Sequence, residues 1–393
     1  MDNTHIKGQE EPVRILNMTF ISVFAANMLL QLGQQMMNTL VAKYADTLGA
    51  SAALVGFVVG LFAFSSLIFK VVAAPAIDTF NKKYILMGAV LVMAVSYGGY
   101  SYSYNIYMLM FFRMLQGVGQ AFTITCCLAL ASEALPPSRL GTGLAYFSLA
   151  QAVCQAIGPT IGLYLSNTFG FKTAFGVGAA IMLAAAFAAT RIRIPFKREK
   201  KFRITLESVI AKEAIVPAGI MFFLMLTYSN INSFLVIYAG EKGCGANIGF
   251  FFTVYALTLL VTRPVVGRLA DKFGLSRMFL PAMCCFAMAF FLISCSKTLP
   301  SFLFAAFVSA FGYGACYPLV QTLCMKCVPK EKRGAASSTN YIGSDFGQML
   351  GPSLAGMIAD RLGFTVMWRI MIFPIFMAMA IVVVFRKKID ISA

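Results

Sequence analysis

One carboxylate stands apart in this chain of 393 residues. Asp345 lies near the centre of the apolar run 335–359, the only acid placed deep in such a run. Holding a charge at that depth costs about 2.5–3.5 kcal/mol on membrane-insertion scales, so the group must face protein or water. An acid whose access to water changes can load a proton and release it again, which is the chemistry of proton coupling. A structural acid, paired with backbone or with Arg113, is the alternative. At about 100° per residue, Asp345 points roughly 160° away from Gly343, Gly347 and Gly351 and does not share their contact. Arg113, in the run 105–131, and Glu133, at the end of that run, complete the proton-coupling candidates; Glu133 also reads as a solvated charge.

Uncharged polar residues form four stripes. They are Asn27, Gln31, Gln34 and Asn38; Arg113, Gln116 and Gln120; Tyr228 and Asn232; and Tyr313, Tyr317 and Gln321. Spacings of three or four put each set on one helix face. Taken jointly, the stripes predict a cavity for a small-molecule substrate, although any one residue also suits polar contact between helices. Nothing resembles a catalytic or metal-ligating constellation. The sole histidine is His5, and no G-x-x-x-x-G-K-[ST] loop is present to make ATP the driver. Of ten cysteines, Cys126, Cys127, Cys154, Cys284, Cys285, Cys295 and Cys316 sit inside apolar runs, where cysteine behaves as a small hydrophobe. Cys324-x-x-Cys327 lacks partner ligands and reads as packing. No cofactor and no metal are expected.

The elements that carry these residues follow from composition. Apolar residues make up 59% of the chain and charged residues 12%, against about a quarter charged in soluble domains. That balance excludes a soluble enzyme, a disordered chain and a nucleic-acid-binding domain. Apolar runs fall at 15–42, 52–74, 84–103, 105–131, 141–166, 171–190, 214–239, 247–270, 277–296, 299–325, 335–359 and 364–385, which predicts twelve membrane helices. The first run is too long for a signal-peptide core and reads as a retained span. An even count puts both termini on one side. With the termini inside, twenty-three lysines and arginines face inward and five outward, so the positive-inside rule places both termini in the cytoplasm. Four more (Lys70, Arg113, Arg263, Arg369) lie within or at the edge of runs. The basic connection 191–213 divides the chain into an N-terminal bundle, 1–190, and a C-terminal bundle, 214–393, and suits a linker touching anionic lipid headgroups.

The two halves repeat. A shift of 193 residues lays Gly56 on Gly249, Lys70 on Arg263, Asp78 on Asp271 and Pro136 on Pro329. The same shift lays Gly141 on Gly334, Gly158–Pro159 on Gly351–Pro352 and Gly170–Phe171 on Gly363–Phe364. The fold expected is an all-α polytopic protein of two pseudo-symmetric six-helix bundles, with substrate held between them. Small residues recur every fourth position at Ala150, Cys154, Gly158 and Gly162, and again at Gly343, Gly347, Gly351 and Ala355. Such stripes allow close helix packing, either static or at a surface that separates and repacks.

Family motifs lie on this frame. Gly267-Arg268-Leu269-Ala270-Asp271-Lys272-Phe273-Gly274, and less fully Ala74-x-x-x-Asp78-x-x-Asn81-Lys82-Lys83, resemble the G-x-x-x-D-[RK]-x-G-[RK]-[RK] loop of the major facilitator superfamily. Arg113-x-x-Gln116-Gly117-x-Gly119 is similar to that family's R-x-x-Q-G-x-G. Gly158-Pro159-x-x-Gly162 resembles the G-P-x-x-G core of its antiporters, with Cys154 at the usual upstream glycine. The resemblance spans nearly the whole chain and implies alternating access, with Asp78, Lys82, Lys83, Gly267, Asp271 and Lys272 as gating latches and the two Gly-Pro pairs as bends. Gly143 to Ser148, with Asp345-Phe346-Gly347, looks like the bacterial drug and metallophore exporter branch. The expectation is a monomeric, proton-coupled exporter of small apolar or amphipathic compounds in the bacterial inner membrane, with substrate, protons and lipid as partners and no nucleic acid. An importing symporter or facilitator is the first rival. A membrane-embedded enzyme or sensor is the second, and it lacks a catalytic constellation.

Overall fold

The computed structural model describes residues 18–135, 140–194, 211–245, 247–329, 332–386 and 389. The expected N-terminal segment, Pro136 and most of the linker lie outside these residues, and the side chains of Asp78, Gly267 and Asp271 lie outside the described set. Every long element among the described residues is an α-helix, and none is a strand. In chain order they are α1 (Met18–Thr47), α2 (Ala52–Thr79), α3 (Lys82–Ser101), α4 (Ile106–Ala134), α5 (Leu140–Thr190), α6 (Ile215–Glu241), α7 (Gly249–Phe273), α8 (Leu275–Cys295), α9 (Leu299–Lys326), α10 (Arg333–Leu362), α11 (Phe364–Ile370) and α12 (Phe373–Val384).

Helix starts follow side chains that accept from the first turn. Ser51 accepts from Leu54 N–H, Asn81 from Lys83 N–H and Asn105 from Met108 N–H, while Thr298 and Ser301 form a reciprocal capping box. Glycine ends them where the chain must turn left-handed: Gly170 at φ 84° and its repeat mate Gly363 at φ 80°. Gly170 breaks α5 between the runs 141–166 and 171–190. Large apolar side chains such as Phe57, Phe187 and Phe373 remain outward and exposed, as lipid-facing surface requires.

Nine helical stretches among the described residues are long and apolar enough to cross a membrane, fewer than the twelve runs read from the sequence. The physical reasons are specific. Residues 150–190 count as one stretch despite the break at Gly170. The glutamines and asparagines of α1, and the serines, Asn340, Asp345 and Gln348 of α10, lower the apolarity of those two helices.

In the first half, α1 packs on α5, α2 on α4, and α3 on α4 and α5. In the second, α6 packs on α10 and α12, α7 on α9, and α8 on α9. The halves meet along two seams, α2 with α10 and α5 with α7, which the 193-residue shift interchanges. A methyl at Gly56 would overlap the Pro352 carbonyl, and one at its mate Gly249 would press on Thr160, whose hydroxyl donates to Gly249 O at 2.8 Å. The small-residue stripes, by contrast, pack inside their own halves. Gly158 and Gly162 abut α1 at Gln35 and Leu40, and Gly343, Gly347 and Gly351 abut the α6 backbone at Ala218, Phe222 and Leu226. Asp345 leaves the opposite side of α10, toward α2.

Candidate functional site

A central cavity of about 170 Å³ lies between the halves. Of the residues expected there, Gln31, Gln34, Asn38, Gln120, Tyr228, Asn232, Tyr313 and Tyr317 line it, together with Asp345. Asn27, Gln116 and Gln321 do not. Asn27 is buried in helix packing, because the end of a stripe drifts off a small cavity as α1 turns at 3.6 residues per turn. Gln35, Phe62, Ser66, Lys70, Gln151, Gln155, Tyr255, Arg263, Tyr341, Ser344 and Gln348 also line it, and none belongs to the four polar stripes. A signal for some of them existed: Lys70 and Arg263, like Gln155 and Gln348, are repeat mates in apolar runs.

The aromatic wall is ordered. Tyr228 and Tyr313 stack with centroids 3.8 Å apart and planes 8° from parallel, and Gln155 Nε2 donates to the Tyr228 hydroxyl at 2.5 Å. Tyr317 leans on Tyr313 at 5.9 Å, and the Tyr313 hydroxyl reaches Met225 Sδ at 3.2 Å. Offset aromatic faces beside amides hold an apolar body while offering directional contacts.

Asp345 is paired, and its partner is Lys70. Lys70 Nζ stands 2.5 Å from Asp345 Oδ2, bridging α2 and α10 at the cavity wall, and sits 5.4 Å from the Tyr341 ring centroid. Arg113 takes no part. It is fully buried, donates from Nη1 to Gln116 Oε1 at 2.8 Å, and stacks on the cavity ring Phe62 at 4.8 Å. Gln116 is held in turn by the Tyr100 hydroxyl at 2.6 Å and donates to the Tyr97 hydroxyl at 3.3 Å. This network fixes α3 to α4 behind the cavity.

The remaining candidates lie at the ends of the helices. Glu133 and Lys82, expected in separate roles, pair with each other at 2.6 Å where α4 ends and α3 begins. Lys83 donates to Thr190 O at 2.7 Å, and Lys272 lies over the Phe273 ring. Pro159 and Pro352 sit inside α5 and α10. At the opposite end from Lys82, Asp360 of α10 accepts from the N–H groups of Ala52 and Ala53, the first turn of α2, at 2.7 and 2.9 Å. A second recess of about 620 Å³ opens at that end beside Lys43, Asp46 and Glu241. It is larger and somewhat more open, and the Lys70–Asp345 pair and the aromatic stack belong to the central cavity. Cys324 packs against Ala214, Val328 and Ala336 and donates to Ala336 O at 3.1 Å.

The sequence profile of the Major Facilitator Superfamily matches twice, over residues 23–219 and over 217–391. The multi-drug resistance efflux pump PmrA of Streptococcus pneumoniae is 25% identical over 337 residues, covering 82% of this chain and 84% of that protein. The staphylopine export protein of Staphylococcus aureus is 20% identical over 384 residues, covering 94% and 96%. Among solved structures, a bacterial homologue of the human lysosomal transporter Spinster superposes with a TM-score of 0.77 at 14% identity, covering 95% of this chain and 97% of that one. The nucleoside transporter NupG superposes with a TM-score of 0.73 at 12% identity, covering 94% and 99%. Two profile matches spanning almost the entire chain, on an all-helical membrane fold with a cavity between its halves, make this chain a multi-pass transporter of the Major Facilitator Superfamily.

Proposed function

We propose that the protein is a proton-coupled exporter of small apolar or amphipathic compounds, working by alternating access between bundles 1–190 and 214–393 joined by the linker 191–213. The observation that carries this reading is the Lys70–Asp345 ion pair in the cavity wall. A buried pair is stable only while both charges are present and close. Protonating Asp345 removes one charge and loosens α2 from α10; separating the helices takes the carboxylate away from Lys70, and a proton then replaces the lost counter-charge. Proton binding and opening are then one event.

The Asp360 clasp closes the end of this seam remote from Lys82, so the conformation corresponds to an outer gate shut, with the basic end and both termini in the cytoplasm. Asp78 and Asp271 are assigned as latches at the inner end. Export, rather than import, is supported by the relatives named as an efflux pump and an export protein. The bacterial inner membrane and a monomeric state complete the proposal. Its test is flux in proteoliposomes of known orientation loaded with the uncharged amphipathic dye N-phenyl-1-naphthylamine. An imposed pH gradient, acid on the outer face, is expected to drive dye outward from the basic side; dye flux that ignores the gradient refutes coupling.

A further inference from the structure

Lys70 and Arg263 are repeat mates, and both line the central cavity. They differ in the partner that the facing helix offers. Across the α2–α10 seam Lys70 meets Asp345. The repeat mate of Asp345 on α5, which meets α7 at the equivalent seam, is Ala152. The repeat thus supplies a cation to each seam and a carboxylate to only one. Arg263 accordingly forms no ion pair among the described residues, and its Nε is closed off from solvent with no hydrogen-bond partner.

A guanidinium in a low-dielectric cavity needs an anion, and its planar fork matches a carboxylate in a bidentate fashion. Lys70 and Asp345 cancel, so the lined cavity keeps one positive charge, at Arg263. Arg113 also has Nε and Nη2 without a hydrogen-bond partner, but it is fully buried behind Phe62 and does not line the cavity, so only Arg263 can meet cargo. Arg263 lines the cavity together with Tyr228, Tyr255, Tyr313 and Tyr317, so the cation and the stacked rings share one surface. We infer that Arg263 is the anion-binding residue of the cavity, and that the cargo is a small aromatic or amphipathic monoanion whose carboxylate pairs with Arg263 while its apolar body rests on the Tyr228–Tyr313 stack. The inference rests on the central cavity being the cargo site. It narrows apolar or amphipathic cargo to molecules carrying one negative charge, and it disfavours cations.

The test is equilibrium binding by calorimetry to the full chain in lipid nanodiscs, with three isosteric probes: 1-naphthoate, 1-naphthamide and 1-naphthylmethylammonium. Naphthoate is expected to bind at least about tenfold tighter than the amide, as a charge-assisted pair implies, with the ammonium weakest. Arg263→Gln should bring naphthoate down to the amide's affinity and leave the amide unchanged; Arg263→Lys should keep part of the preference. Ala152→Asp, which gives Arg263 the carboxylate that Lys70 already has, should abolish the preference without removing the arginine, and it carries the test if Arg263→Gln does not fold. Equal binding of the three probes, no binding of any, or a naphthoate preference that survives either substitution overturns the assignment. Binding is read without a gradient, so a failure of proton coupling in vesicles leaves this result standing, and the reverse also holds.

Discussion

Replacing Asp360 with alanine isolates one contact between the two halves. The first turn of any helix presents N–H groups with no partner inside the helix. In α2, Ser51 takes the N–H of Leu54, and Asp360, from the other half of the molecule, takes those of Ala52 and Ala53 at 2.7 and 2.9 Å. Two charge-assisted bonds at an exposed site contribute about 0.5–1 kcal/mol each once screening is allowed for. The carboxylate at the positive end of the α2 dipole adds about 0.3–1 kcal/mol. The sum, about 1.3–3 kcal/mol, corresponds to a shift of about tenfold to 150-fold in the equilibrium between a closed and an open α2–α10 seam. Hydrogen–deuterium exchange reads that shift directly, because opening free energy sets amide exchange. In Asp360→Ala the peptide over residues 50–60 should exchange about tenfold to 150-fold faster, with peptides from α3 unchanged. Exchange equal to wild type would refute the claim that this clasp holds the halves together.

Two further outcomes follow from the geometry. Lys70→Met leaves Asp345 without its partner and should cost about 3 kcal/mol, the lower end for a buried pair since Lys70 keeps 23% exposure; adding Asp345→Asn should recover most of it in the apparent melting temperature. Strict additivity in that cycle would show that the pair is not energetically coupled. Gly347→Ala drives a methyl into the Phe222 carbonyl and should destabilise by about 1–3 kcal/mol, whereas Gly88→Ala, with open space around the new methyl, should stay within about 0.5 kcal/mol on the same melt. Equal effects of the two would contradict the close packing of α10 on α6.

The sequence carries the architecture well and the contacts less evenly. The 193-residue shift already pairs Gly56 with Gly249 and Gly170 with Gly363, and these become matched seams and matched left-handed turns. Polar spacing finds most of the cavity, because a face of three- and four-residue steps is a local property of a helix. Partners are another matter. Lys70 and Asp345 are separated by 275 residues, and only the docking of α2 on α10 brings them together. Arg113 reads as part of a cavity-facing stripe, but Gln116, Tyr97 and Tyr100 hold it behind the wall, fully buried. Every-fourth-residue glycines read alike whether helices slide or stay put. The identity of the facing helix, α1 for Gly158 and α6 for Gly351, is what assigns the stripes to the interior of each half.

The central claim is that Asp345 couples proton movement to cargo movement, and Asp345→Asn tests it most directly. The amide mimics the protonated acid and has no proton to release. Proteoliposomes carrying wild type or Asp345→Asn, with a pH gradient as the sole driving force, are compared for accumulation of the uncharged dye N-phenyl-1-naphthylamine and for downhill exchange of preloaded dye. The account predicts that the variant keeps downhill exchange, which needs only the cavity, and loses accumulation. Accumulation by Asp345→Asn equal to wild type under the pH gradient alone would contradict it and leave Asp345 a structural partner of Lys70.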